Sequence, residues 1–328
     1  MVLISKTPLR ISFFGGGTDY PEYYMSNKGG VLGMAINKYV YIACIDLNGI
    51  QEYNYRIAYS QLEQVNEIDS IKHPVVKALL RDYKVKDPVD ISIMSDMPAG
   101  SGLGSSSSFT VGLVNLLKRK ADIQMTKLDV ALEAIRIEKE LLGENVGIQD
   151  QLHASFGGIN RFEFYDDNIS VTPITMRGDN LQVLTNSLFL VFTGIQRHAS
   201  AVVTSQLKNT RTGRNNSYLH TMYEMISEAQ NILTSSKSDL IVSDFSNLLN
   251  QSWEYKQKLG EAITSLEIDD IISLCRSKGA SAVKLCGAGG GGFLLCLVPK
   301  DFQETFIDSI NPLKAVKIEI DVNGTQVN

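Results

Sequence analysis

A glycine-serine run, Pro98-Ala99-Gly100-Ser101-Gly102-Leu103-Gly104-Ser105-Ser106-Ser107-Ser108, has the composition to hold an anion. A strand-like segment, Val89–Met94, leads in, and an apolar helix-like segment, Phe109–Leu117, leads out. Glycines let the backbone turn with positive φ and come close to a ligand. The free amides of the helix's first turn then point at whatever sits there. No lysine lies between Gly100 and Leu117, so the run is not a Walker A loop. Ser105 stands where a dinucleotide fingerprint needs its third glycine, and Arg119–Met125 does not read as a second parallel strand. A plain connector is the bland alternative, and the apolar elements tight on both sides argue against it. The four serines offer an N-cap and a magnesium ligand. The run therefore reads as the phosphate cradle of a small-molecule kinase.

Phosphoryl transfer also needs a carboxylate to take or orient the acceptor's proton, and cations to neutralise the phosphate oxygens. Asp150, in Gly147-Ile148-Gln149-Asp150-Gln151, sits at a turn-to-helix start; taken alone it is an ordinary first-turn aspartate. Glu138 falls late on a helix, where a carboxylate opposes the dipole. Asp19 follows Gly15-Gly16-Gly17-Thr18. That stretch is either a capped turn or a polyol site in which backbone comes close and one carboxylate accepts two hydroxyls. A second glycine run, Gly287-Ala288-Gly289-Gly290-Gly291-Gly292, is wedged between apolar segments. It reads as a hairpin tip that approaches another loop or a phosphate, not as a linker.

The elements that must position these residues are legible from pattern. Strands are expected at Val2–Ser12, Val31–Asp46, Tyr53–Tyr59, Ile159–Phe164, Ile169–Pro173, Leu188–Thr193, Ala282–Leu285, Phe293–Val298 and Ala315–Ile320. Helices are expected at Pro21–Ser26, Pro74–Asp82, from Thr126 to about Leu142, and in a short stretch ending at Ser155. More follow at Tyr218–Thr234, Val242–Lys258, Asp269–Lys278 and Asp301–Ile310. Thr126-Lys127-Leu128-Asp129 resembles a capping box, and Pro74 suits a first helical turn. The polar stretch Thr210–Asn216 reads as an exposed loop. This order favours α+β over a doubly wound sheet.

Bulk properties exclude several classes. The net charge of -5 argues against nucleic acid or an anionic membrane as partner. There is no apolar run of transmembrane length and no secretory pattern at the N-terminus, so a cytoplasmic protein is expected. Cys44, Cys275, Cys286 and Cys296 are scattered, which suits a reducing compartment and not a zinc site.

Together these stretches resemble the GHMP kinases (galactokinase, homoserine kinase, mevalonate kinase, phosphomevalonate kinase). Pro98-Ala99-Gly100-Ser101-Gly102-Leu103-Gly104-Ser105-Ser106-Ser107 matches the family's P-x-G-x-G-L-G-S-S-[AS] signature, and Gly287–Gly292 matches its C-terminal glycine loop. The resemblance implies an α+β fold with a ribosomal-protein-S5-like domain over residues 1–180 and a ferredoxin-like domain over 181–328, with ATP between them. It implies phosphate contacts from Gly100 to Ser107, Mg²⁺ on Ser106 and Glu138, Asp150 as catalytic carboxylate and Arg10 as its cationic partner. Substrate contacts are implied for Gly16, Gly17, Thr18, Asp19, Gly289 and Gly290. Whether such a protein is a monomer or a homodimer is open.

Galactokinases carry Glu-His where this chain has Gly16-Gly17, so galactose is disfavoured. The run from Pro8 to Tyr24 is similar instead to a branch that phosphorylates the anomeric hydroxyl of a heptose 7-phosphate. Ile71-Lys72-His73-Pro74 and Thr193-Gly194-Ile195-Gln196-Arg197 share that likeness. A sugar phosphate needs a cationic pocket end. Arg197, His198, Lys38 and Arg56 are candidates, with Arg197 preferred because it follows a strand end and a glycine. A nucleotide-dependent oxidoreductase and a non-catalytic sugar sensor are the rival classes.

Overall fold

The computed structural model describes residues 2–195, 199–235 and 237–328. In the first half the chain runs through β1 (Val2–Phe14), α1 (Pro21–Tyr24), β2 (Gly29–Asp46), β3 (Tyr55–Ala58), β4 (Leu62–Val65), α2 (Pro74–Asp82) and β5 (Val89–Ser95). It continues through α3 (Ser105–Lys120), α4 (Lys127–Arg136), α5 (Gln149–Phe156), β6 (Ile159–Tyr165) and β7 (Asn168–Pro173). The second half contains α6 (Gly178–Asn186), β8 (Leu188–Phe192), α7 (Ala199–Arg211), α8 (Asn216–Ser235), α9 (Ile241–Gln257) and α10 (Leu266–Ser277). β9 (Ala282–Leu285), β10 (Phe293–Leu297), α11 (Phe306–Ser309), β11 (Lys314–Lys317) and β12 (Gln326–Val327) close it.

β1 and β2 are long antiparallel neighbours and form the spine of the first sheet, ordered β12-β1-β2-β5-β3-β4, with β6 and β7 continuing from the far end of β2. Their register shifts at Pro8/Leu9 and at Ser12/Phe14. Such bulges re-aim side chains, and Arg10 and Ser12 lie between these shifts. α3 lies along β1. Its approach depends on Gly112: a Cβ there would stand 2.6 Å from the Thr7 hydroxyl and 2.8 Å from that of Ser5. Ser108 Oγ donates to the Pro8 carbonyl at 2.8 Å, and the Arg10 amide donates to the Leu103 carbonyl at 3.0 Å. The glycine-serine run is thus riveted to the strand that carries Arg10.

The second sheet is antiparallel, ordered β11-β8-β10-β9. Numbered along the chain that is 4-1-3-2, the ferredoxin-like arrangement, with α7 to α10 in the first crossover. The chain's end then leaves this sheet: β12 pairs with β1, so the first sheet is completed by the last residues.

Sequence pattern located most elements. α2 has the expected bounds, Thr126 and Asp129 form the capping box, and β2 is one long strand. One expectation is overturned, and two helices were missed. Thr210–Asn216 is the exposed turn between α7 and α8, with Arg211, Thr212, Gly213, Arg214 and Asn216 at the surface; it is anchored by buried Thr210 and Asn215, whose Nδ2 donates to the carbonyls of Gln206 and Leu259. The preceding helix α7 and the helix α6 were not legible, because neither carries a clean apolar period. The helix expected over Asp301–Ile310 breaks into a 3₁₀ turn at Lys300–Phe302 and the short α11.

Candidate active site

A cleft of about 560 Å³ opens between the two sheets' elements, lined from both halves of the chain. Its floor is the glycine-serine run. Gly100, Gly102 and Gly104 all have positive φ, and Gly104 is the N-cap of α3 in the left-handed region. The amides at the start of α3 are therefore presented to the cleft together with the Ser105, Ser106 and Ser107 side chains. Two members of the expected set do other work. Leu103 is fully buried and its carbonyl receives the Arg10 amide; the Ser101 carbonyl receives the amide of Phe293.

Arg10 and Asp150 stand at the mouth of this cradle. Arg10 Nε donates to Asp150 Oδ1 at 2.8 Å, and its Nη1 donates to the Gly102 carbonyl at 2.7 Å. A planar guanidinium can hold two acceptors in different directions at once. It fixes the carboxylate relative to the glycine run. The closeness is permitted by Gly104, where a Cβ would lie 3.2 Å from Asp150 Oδ2 and 3.3 Å from Arg10 Cγ. Asp150 is the second residue of α5, so its carboxylate also lies in a first helical turn.

Asp19 sits deeper, almost fully buried. The Gly17 amide donates to Oδ1 and Gln149 Nε2 to Oδ2, both at 2.9 Å. Burial raises its pKa; these hydrogen bonds oppose the rise and the nearby Asp150 charge adds to it. Gly147 makes room for this carboxylate, since a Cβ there would overlap Oδ2. Gly16 and Gly17 line the cleft beside it, whereas Thr18 does not. The Thr18 hydroxyl donates to the carbonyls of Gly15 and Gly30 and accepts from the Gly30 amide. It shapes the loop from behind.

Glu138 lies in a π-helical turn, Ile137–Leu141, that extends α4; such turns recur at functional sites. Its Oε2 accepts from Ser107 Oγ at 3.0 Å and from Gln151 Nε2 at 2.5 Å, while Oε1 is buried with no partner among the described residues. Burial lifts its pKa to about 7, against the pull of its hydrogen bonds from Gln151 and Ser107. The hydroxyl in contact with Glu138 is thus Ser107; Ser106, expected beside it, lines the cleft one residue away. Among the described residues no three His, Cys, Asp or Glu side chains converge as a metal set. A buried carboxylate with one free oxygen, next to serine hydroxyls and a phosphate cradle, nonetheless fits Mg²⁺, which takes one or two carboxylates and completes its shell with phosphates and water. Glu138 and Ser106 would hold it, with Ser107 orienting the carboxylate. When bound, the ion neutralises phosphate charge.

The second glycine run closes the cradle from the other sheet. Gly287 and Ala288 line the cleft. Gly289 and Gly290, expected there, instead pack on the backbone of Ile263, whose carbonyl accepts the Gly290 amide at 2.9 Å. Of the expected cations, Arg197 and His198 lie outside the described residues. Arg56 forks onto Asp90 at 3.0 and 3.1 Å, and neither it nor Lys38 lines the cleft.

Sequence reasoning missed several lining residues: Ser12, Tyr20, Glu144, Gln149, Gln206, Lys256 and Lys284. A signal existed for two of them. Lys256 falls on the buried face of α9 with Leu249, Ser252 and Trp253, and Lys284 interrupts the otherwise apolar β9. Lys284 Nζ donates to the Ser12 and Phe13 carbonyls at 3.3 and 2.5 Å, and burial pushes its pKa down to about 7.

A glycine-serine loop at a helix start with a clamped carboxylate beside it suits phosphoryl transfer. The chain belongs to the GHMP kinases: residues 69–158 match the GHMP kinases N terminal domain and residues 240–311 the GHMP kinases C terminal family. It is accordingly an ATP-dependent small-molecule kinase that phosphorylates an alcohol. Among its relatives is a D-glycero-alpha-D-manno-heptose 7-phosphate kinase of Campylobacter jejuni, 31% identical over 90% of this chain and 88% of that protein. A galactokinase of Pyrococcus furiosus is 25% identical over 93% and 91% of the two chains. The fold matches the crystal structure of a D-glycero-D-manno-heptose 1-phosphate kinase from Bacteroides thetaiotaomicron with a TM-score of 0.80, at 23% identity over 99% and 98% of the chains. Among the described residues, no helix is long and apolar enough to cross a membrane.

Proposed function

We propose that this kinase transfers the γ-phosphoryl group of ATP, with Mg²⁺, to the anomeric C1 hydroxyl of D-glycero-α-D-manno-heptose 7-phosphate. The product is the 1,7-bisphosphate, an intermediate toward GDP-heptose and surface polysaccharide. The observation that carries the reading is the Arg10–Asp150 pair beside Gly104. It sets a carboxylate against the amides that hold the phosphates, where an acceptor hydroxyl must arrive. Asp150 takes the hydroxyl proton as the oxygen attacks the γ-phosphorus. The bond to the β-γ bridging oxygen breaks and ADP leaves with those electrons. Arg10 offsets the developing negative charge. Positioning and electrostatics supply most of the rate in such transfers. Asp19, with Gly16 and Gly17 leaving backbone open beside it, takes the sugar hydroxyls. The heptose kinase named among the relatives supports this acceptor, and the two glycines speak against galactose.

The test is an ADP-release assay with heptose 7-phosphate, mannose 6-phosphate, galactose, fucose and mevalonate, followed by ³¹P NMR of the product. Heptose 7-phosphate is expected to give the highest kcat/KM, with a new anomeric phosphate. A higher kcat/KM on galactose or fucose would replace the acceptor with a neutral sugar.

A further inference from the structure

One wall of the cleft presents a buried cation without a counter-ion beside a buried amide N–H without an acceptor, among the described residues. Lys256, on α9, is 6% exposed and lines the cleft. Its ammonium donates to Gln206 Oε1 at 3.3 Å, and among the described residues no carboxylate lies within ion-pair distance. Gln206, on α7, is also buried, and among the described residues its Nε2 has no hydrogen-bond partner. That nitrogen is held next to Gly17, where a Cβ would stand 2.8 Å from it. The carboxylate whose charge acts on Lys256 is Asp19, which accepts from Gly17 and Gln149 and, among the described residues, makes no ion pair with the lysine. Arg10 adds positive charge, and burial pushes the lysine down to about 8. Lys284 differs: it is a strut, spent on two carbonyls of β1.

A buried ammonium without a counter-ion and a buried amide N–H without an acceptor are both costly. Here they sit together, on two helices of the second half of the chain, while the phosphate cradle belongs to the first half. Neutral hydroxyls find an acceptor in Asp19. What Lys256 and Gln206 lack is an anion that brings several oxygens of its own.

We propose that Lys256 and Gln206 form the subsite for the phosphate monoester that the acceptor already carries, and so set the preference for phosphorylated over neutral sugars. The inference rests on the reading of the acceptor as a sugar phosphate. The subsite works by charge-assisted hydrogen bonds from Lys256 Nζ and Gln206 Nε2 to the phosphate oxygens. Substrate binding thereby satisfies two donors that the free enzyme leaves buried.

The experiment measures kcat/KM for heptose 7-phosphate and for the unphosphorylated heptose, at saturating Mg-ATP, in wild type, Lys256→Met and Gln206→Leu. Wild type is expected to favour the phosphorylated sugar. In Lys256→Met the ratio of the two kcat/KM values falls about 10–100-fold, and in Gln206→Leu about 3–10-fold. A structural role alone would lower both values together and leave the ratio unchanged; an unchanged ratio in a folded variant overturns the subsite. Should Lys256→Met fail to fold, Gln206→Leu decides by the same ratio. Wild type preferring the unphosphorylated sugar would overturn the underlying reading of the acceptor instead.

Discussion

Gly102 and Gly287 meet backbone to backbone: a Cβ on Gly287 would stand 2.6 Å from the Gly102 Cα, and one on Gly102 would stand 2.6 Å from the Cys286 carbonyl oxygen. One glycine belongs to the phosphate cradle and the other to the hairpin tip of the second sheet. Both have positive φ, 79° and 71°. Their contact is where the halves of the chain close on the cleft, and neither position tolerates a side chain. Gly287→Ala is expected to force the two loops apart and to add left-handed backbone strain of about 1–2 kcal/mol. Melting temperature should fall by a few degrees and KM for ATP should rise at least severalfold. Wild-type values for both would show that the contact is not needed to hold the cradle.

The Arg10–Asp150 pair gives a sharper expectation. Asp150→Asn keeps the shape and removes the base, so kcat should fall by roughly 10²–10⁴-fold, the usual range for a lost acid-base group. ATP binding, measured by calorimetry, should change little. Arg10→Lys keeps a charge but cannot reach both Asp150 and the Gly102 carbonyl. It should also lose most of kcat. A near-wild-type rate in Asp150→Asn would remove that residue from the mechanism.

How much of this was legible in the sequence follows from what each residue's neighbours are. Gly100–Ser108, Asp19 and Asp150 were readable because their types sit at fixed offsets from glycines, and those offsets are local. The Ser107–Glu138 bond, by contrast, joins residues 31 apart. It depends on a π turn that shifts the helix by one residue, which no side-chain period announces. Lys256 and Gln206 come from two helices separated by a third, and α7 carries too few apolar residues at helical spacing to declare itself. Gly289 and Gly290 were indistinguishable in sequence from Gly287. Only the packing against Ile263 sorts them.

Glu138 makes the protein's stability respond to pH. Burial lifts its pKa from 4.5 to about 7. The folded state therefore holds a proton that the unfolded chain has lost between those values. Its contribution is complete below pH 4.5 and lost as pH rises through 7. The full shift corresponds to roughly 3 kcal/mol. Glu138→Gln, in magnesium-free buffer, should match wild type near pH 4.5 and melt higher at pH 8. Equal melting temperatures at pH 8 would mean that the buried carboxylate is already compensated. Mg²⁺-dependent turnover in the same variant should fall by at least an order of magnitude.

His153 acts in the opposite direction over an overlapping range, and the two can be separated. It is fully buried on α5, three residues after Asp150, with Nδ1 against the Gln149 carbonyl at 2.9 Å. Burial lowers its pKa from 6.5 to about 4. The unfolded chain takes up a proton below pH 6.5 that the folded ring refuses, so its stabilisation is present above 6.5 and lost as pH falls toward 4. In wild type this loss is masked, because Glu138 gains stability over the same fall. In Glu138→Gln the mask is gone, and denaturant unfolding should show stability dropping steeply from pH 6.5 to 4.5. If stability in that variant stayed flat across this interval, His153 would not be held neutral. A sloping profile would locate the acid sensitivity in α5, the helix that carries Asp150.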